Sequence, residues 1–193
     1  MIRRSFLALS LAVAACAPMP PQLPPGVGDD TAVIAPKVLY KVPPPDALGG
    51  TVNAQQMIVA RYRGQSFSFE AQIAITPERL DLVAVDGLGR RALTIGWNGR
   101  DLQYEPAPWL PPVFRPADIL ASMTIAYGPE APIRAALARA TVTTTAARRT
   151  VAADGKPVVI VDYGQGDGWS RPAHVRNAAF GYELDIQSVE LKN

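Results

Sequence analysis

Between Gln55 and Glu105 apolar and polar side chains alternate with a period of two, interrupted only by short turn signals. The clearest run is Phe67 to Ile75, in which Phe67, Phe69, Ala71, Ile73 and Ile75 alternate with Ser68, Glu70, Gln72 and Ala74. That period sends every large apolar side chain to one face of a strand. Leu80, Leu82 and Ala84 repeat the pattern, followed by Leu93, Ile95 and Trp97, and then by Leu102 and Tyr104. Gly64-Gln65, Pro77-Glu78, Asp86-Gly87-Leu88-Gly89 and Asn98-Gly99 separate the runs, and each is a turn signal. Strands joined this closely must be antiparallel, because a parallel crossover needs about a dozen residues or more. The pattern predicts a meander of five strands with one apolar face. Something else in the chain has to cover that face.

The period changes after Glu105. Residues 106–116 hold Trp109, Leu110, Val113 and Phe114 among five prolines, too many for regular structure. This loop either folds down into the core or forms an apolar rim beside a cavity. Pro116 to Tyr127 is predicted to be a helix, with Pro116 and Asp118 in its first turn and Gly128 to stop it. Ile119, Leu120, Met123 and Tyr127 make its apolar stripe. A second short helix is expected from Glu130 to Arg139. Strands then return at Arg148–Ala152 and Pro157–Tyr163, on either side of the hairpin signal Asp154-Gly155. Gly164 to Gly168 is a loop, and Phe180 to Gln187 alternates again as a last strand. Strands, two helices and strands in that order predict an α+β, mainly β fold: a single antiparallel sheet with helices on one face.

Ahead of the meander the chain reads as an address and a tether. Arg3 and Arg4 precede an apolar run, Phe6 to Ala15, too short to span a bilayer and suited to a signal peptide over residues 1–15. Val13-Ala-Ala-Cys16 resembles the bacterial lipobox, in which the cysteine becomes the acylated first residue. A free or buried cysteine behind a plain signal peptide is the plainer alternative. Ala17 after the cysteine implies, by the same resemblance, export to the outer membrane, with the domain facing the periplasm. Residues 16–50 hold nine of the 19 prolines and are expected to be an extended tether. At about 3.1 Å per residue it would reach roughly 100 Å when fully stretched. Val33-Ile34 and Val38-Leu39-Tyr40 interrupt its polarity and are candidates for docking onto the domain, residues 51–193.

Composition narrows the chemistry. Setting aside Arg3 and Arg4 leaves 17 basic and 17 acidic residues, a balance that argues against a nucleic-acid surface. One Cys and one His exclude internal disulfides and multi-Cys or multi-His metal sites. No Ser sits in a Gly-x-Ser-x-Gly elbow. Gly164-Gln-Gly-Asp-Gly-Trp169 lacks the lysine and helix start of a phosphate loop and reads as a turn. His174 is expected in a solvated loop, and Arg90-Arg91 and Arg148-Arg149 on solvated strand faces, with lipid headgroups as their functional alternative. No catalytic constellation, cofactor or metal is implied.

Lipobox, meander, helical insertion and returning strands together resemble the LolA/LolB group, the periplasmic carrier and outer-membrane receptor for lipoproteins. Within that group the chain most resembles a family of uncharacterised proteobacterial lipoproteins related to LolB. The resemblance covers Val52 to Leu191 and is carried by Asp86-Gly-Leu-Gly-Arg-Arg-Ala-Leu-Thr-Ile95, Pro116-Ala-Asp-Ile-Leu120 and Phe180-Gly-Tyr-Glu-Leu-Asp-Ile186. The proline-rich tether and the Trp109 loop depart from the LolB pattern. The resemblance implies an open, strongly curved half-barrel whose concave face is covered by helices. Its cavity would hold acyl chains, such as palmitate, of a lipoprotein or other lipid-linked cargo received from a periplasmic carrier. Phe67, Phe69, Ile73, Leu82, Leu93, Ile95, Trp97, Trp109, Ile119 and Met123 are the candidate lining. Leu88, between Gly87 and Gly89, matches the leucine that LolB projects from a short loop for membrane insertion. A harmless exposed leucine is the other reading of that turn. A scaffolding lipoprotein with a filled core and a protein partner is the alternative function.

Overall fold

The computed structural model describes residues 28–191. It begins with β1 (Thr31–Ala35), β2 (Val38–Lys41) and the long strands β3 (Val52–Tyr62) and β4 (Gln65–Ile75). β5 (Leu80–Asp86), β6 (Arg91–Trp97) and β7 (Leu102–Pro106) complete the meander. The helices are α1 (Pro116–Tyr127) and α2 (Glu130–Ala136). The chain returns through β8 (Leu137–Ala138), β9 (Thr141–Thr144), β10 (Arg148–Ala153), β11 (Lys156–Tyr163), β12 (Ala173–Asn177) and β13 (Tyr182–Glu190).

Ten strands form one antiparallel sheet in the order β7-β6-β5-β4-β3-β13-β12-β11-β10-β9, which is not closed. With two helices against it, this is a mainly β, α+β fold. The pairing of β3 with β13, from Ala54↔Glu190 to Tyr62↔Tyr182, joins the meander to the C-terminal strands. The alternation seen in the sequence carries straight into the register: Ile73, Leu82, Ile95 and Tyr104 stand in one row across β4 to β7. Phe69, Ile73, Leu82, Leu93 and Ile95 are all buried on that face.

α1 lies over this face because nearly every side it presents is apolar or small. Leu120, Ala121, Met123, Ile125 and Ala126 are buried. Its C-terminal carbonyls, which have no partner within the helix, are met by side chains from the sheet. Arg149 donates to the Ile125 and Gly128 oxygens at 2.6 and 2.9 Å, and the Tyr163 hydroxyl donates to the Ala126 oxygen at 2.6 Å.

Five expectations are corrected. The described part of the expected tether is folded: β1 and β2 form a hairpin, with Ile34, Tyr40 and Val42 fully buried. β1 lies beside α1 and against β11, and the Tyr40 hydroxyl shares a 2.9 Å hydrogen bond with Thr124. Short apolar segments with an unfilled sheet face nearby gain more from burial than from extension in water. Secondly, the sheet is not single, since β1, β2 and β8 make a separate three-stranded one. Thirdly, α2 stops at Ala136 rather than Arg139, because Leu137 and Ala138 pair with Tyr40 and Leu39 of β2. Finally, His174 lies in β12 rather than a loop, and Phe180 and Gly181 form a turn, so the last strand starts at Tyr182. The signal segment, Cys16 and the first part of the tether lie outside the described residues.

Candidate functional site

The covered face is not filled everywhere. A cavity of about 200 Å³ remains between the sheet, the first half of α1 and the loop before it. Of the expected lining, Phe67, Phe69, Leu82, Leu93, Ile119 and Met123 reach it. Ile73, Ile95, Trp97 and Trp109 do not. The first three are buried elsewhere in the core, and the Trp97 indole donates to the Pro43 carbonyl, just beyond the hairpin, at 2.8 Å. The wall includes Val33 and Ile34, so a segment expected to be tether helps build the site.

Two elements shape the mouth. The loop of residues 107–115 divides between the two roles its sequence allowed. Leu110 is buried in the core, whereas Phe114 meets Phe67 and Phe69 edge-on, with ring centres 5.2 and 5.4 Å apart. The Tyr104 hydroxyl holds the Phe114 carbonyl at 2.5 Å and fixes the loop over the sheet. Tyr62, Phe67, Phe114 and Phe180 are only half-buried, and the cavity approaches the surface among them.

The β5–β6 turn projects from the same end of the sheet, since Asp86 pairs with Phe69. The Asp86 carboxylate organises it, accepting from the backbone of Leu88 at 3.0 Å and of Arg90 at 2.9 Å, and from the Arg90 side chain at 2.8 Å. The Arg90 bond is the chief reason that this carboxyl lies below its usual range. Gly89 takes φ 76°, a conformation open to glycine at little cost. Neither Gly87 nor Gly89 has a neighbour within 4 Å of where a Cβ would stand. Leu88 is left 81% exposed at the tip. Behind it, the Arg90 guanidinium lies 5.0 Å from the ring centre of Trp109, which is itself part-exposed.

The cavity wall also carries polar groups that the sequence reading did not assign to it. Asp118 and Ser122 stand four residues apart on α1 and face the cavity with Tyr182 of β13. Ser122 bonds the Asp118 carbonyl at 2.9 Å and the Tyr182 hydroxyl at 3.1 Å. The Asp118 side chain sits in a loose pair with Arg115, 3.7 Å away through Oδ2, while its buried Oδ1 has no partner. Burial pushes this carboxyl up to about 6, against the opposing pull of Arg115. The signal available in sequence was the i, i+4 spacing, which puts Asp118 and Ser122 beside Ile119 and Met123 rather than opposite them.

The remaining charged candidates are occupied elsewhere. Arg148 pairs with Asp162 at 2.5 Å, and Arg91 with Glu105 at 3.2 Å. Arg149 points inward to α1 rather than to solvent, as alternation along β10 requires of one of two adjacent residues. His174 Nδ1 meets Asp185 at 2.6 Å, and Asp185 also binds Arg61. Among the described residues no three metal-ligating side chains come together, and no helix is long and apolar enough to cross a membrane.

Residues 53–190 match the family model described as "Protein of unknown function (DUF3261)". No curated protein matches the chain.

Proposed function

The chain belongs to the DUF3261 family, and from its geometry we propose that it is a LolB-like lipoprotein, anchored in the outer membrane through Cys16, whose curved half-barrel holds an acyl chain of lipid-linked cargo. The observation that carries this reading is one of position. An apolar cavity and an 81% exposed leucine on a rigid turn occupy the same end of one sheet. Apolar burial, about 0.8 kcal/mol per methylene, would supply the affinity. Binding and release need no catalysis or cofactor. Cargo leaves by handover to a bilayer or takes its place by handover from a periplasmic carrier, with Leu88 entering the lipid and Trp109 and Arg90 suited to the interface behind it.

Leu88→Glu tests the reading. Its exposure means that folding and acyl-chain binding should be unchanged, while delivery of a fluorescent acylated peptide from the protein into liposomes should fall at least about tenfold, the scale of a charge forced into lipid. Equal delivery by wild type and variant would remove the insertion role.

One observation favours a second reading. The cavity is smaller than the roughly 300–1,000 Å³ of most ligand sites, and many apolar residues of the sheet, Ile73, Ile95 and Trp97 among them, are buried away from it. A scaffolding lipoprotein with a filled core, presenting its loops to a protein partner, would have this property.

A further inference from the structure

Three turns stand at the end of the sheet where the cavity approaches the surface. Residues 62–65 join β3 to β4, and residues 177–182 join β12 to β13. Tyr62 pairs with both Gln65 and Tyr182, so these two turns are neighbours. The third turn, residues 86–90, carries Leu88 and follows Asp86, which pairs with Phe69 of β4. Tyr62 and Phe180 belong both to the turns and to the cavity wall.

Asn177 organises the turn at 177–182 as Asp86 organises the one that holds Leu88. It is buried, its side-chain oxygen accepts from the Phe180 amide at 2.8 Å, and its carbonyl accepts from Gly181 at 2.9 Å. Its side-chain nitrogen donates to the Ile34 carbonyl at 2.8 Å and ties the turn to the β1–β2 hairpin. Ala178, Ala179 and Gly181 are exposed, Phe180 is half-buried, and no residue from 177 to 182 is charged. In the other two turns the Asp86 carboxylate is largely covered and bound to Arg90, which leaves Arg63 and Arg90 as their exposed charged side chains. Each guanidinium lies against a ring: Arg63 is 4.8 Å from the ring centre of Tyr62, and Arg90 is 5.0 Å from that of Trp109.

An acyl chain that leaves the cavity must cross water unless the rim rests on something apolar. A bilayer supplies a continuous apolar path, and its phosphates match arginines held at the rim. We infer that the three turns form one docking surface for a bilayer containing anionic phospholipid. Residues 178–180 are a second apolar tip beside Leu88, and Arg63 and Arg90 meet the headgroups. This rests on the reading of Leu88 above and extends the contact from one residue to a surface around the cavity mouth.

Co-sedimentation with vesicles tests it, using phosphatidylcholine alone and phosphatidylcholine mixed with phosphatidylglycerol. The protein would be residues 16–193 carrying Cys16→Ala, so that neither signal segment nor acyl anchor binds the vesicles. It should bind the mixed vesicles more tightly, and salt should narrow the difference. Ala179→Glu should weaken binding to both vesicle types at least about tenfold, as Leu88→Glu does. Arg63→Gln should weaken binding to the mixed vesicles alone, about fivefold. Ala146→Glu, in the exposed turn between β9 and β10 at the opposite end of the sheet, should change neither. Full binding by Ala179→Glu together with a loss in Leu88→Glu would overturn the wider surface and leave the Leu88 reading standing. Equal losses in Ala179→Glu and Ala146→Glu would also overturn it, because an added charge anywhere would then suffice. Equal binding to the two vesicle types would overturn the headgroup assignment. If a protein shown to be folded by circular dichroism binds neither vesicle, the turns face a protein instead, and the Leu88 reading fails with this inference.

Discussion

Single residues show how much of this interior depends on a few polar contacts. Arg149 is buried at the C-terminal end of α1, where desolvation pulls its guanidinium down from the usual range. It is retained because the carbonyls of Ile125 and Gly128 accept from it and Thr144 accepts from its Nε at 3.0 Å. Lysine keeps the charge but not the fork. Arg149→Lys should therefore lower stability to urea by about 1.5–3 kcal/mol, the range for a hydrogen bond with a charged partner; an unchanged midpoint would mean that α1 ends without this support. Asp118 acts in the opposite sense. Its folded value of about 6 lies above its ordinary 3.8, so between those values the folded state holds more protons than the unfolded one. Its contribution is thus most favourable below about pH 4 and is lost as pH rises through 6. Asp86, Asp162 and Asp185 are shifted down and slope the other way. Comparing wild type with Asp118→Asn isolates the one residue: the variant should be the more stable at pH 7.5, and the two should converge by pH 4. A gap that is constant with pH would show that the carboxyl is not held in an apolar site.

At the scale of elements, legibility followed the difference between the two faces of a strand. The meander was readable because its strands have one wet face and one buried face, as the alternation of buried and exposed residues along β4 records. β1 has buried residues at four of its five positions and so shows no alternation, and the prolines around it suggested extension. β12 is short and carries Arg176 and His174 outward, which made it resemble a loop. α1 was bounded correctly by Pro116 and Gly128, whereas α2 was cut short by a strand partner that the local sequence does not reveal. For the site the same logic holds. Six expected lining residues share the cavity; of the four that do not, Ile73, Ile95 and Trp97 are buried elsewhere in the core and Trp109 is part-exposed. This division has an energetic consequence. Phe→Ala and Trp→Ala in a filled core cost about 3–5 kcal/mol. Trp97→Ala should lie in that range, because it also strands the Pro43 carbonyl, while Phe69→Ala at the cavity wall should cost less. Equal losses in denaturant titrations would mean that the cavity collapses around either site.

For the whole molecule, the order of the strands matters more than any one of them. β3 and β13 lie next to each other in the middle of the sheet, so the sheet cannot form until both ends of the chain are present. Its apolar face is then shared by three covers: α1, the β1–β2 hairpin and the loop that ends in Phe114. The covers leave an apolar gap at the end of the sheet that carries the turn exposing Leu88. A protein built only as a scaffold has no need of that gap, and filling it should improve stability with no other effect. The central claim is that the gap holds an acyl chain, and extraction of the protein purified from the cells that produce it tests it most directly. Lipid extracted from wild type and from Ala84→Phe, which places a ring in the cavity, would be quantified by mass spectrometry against protein. The expected result is one single-chain amphiphile retained by wild type in near-stoichiometric amount and absent from Ala84→Phe. Equal lipid in both proteins, or none in wild type, would contradict the account.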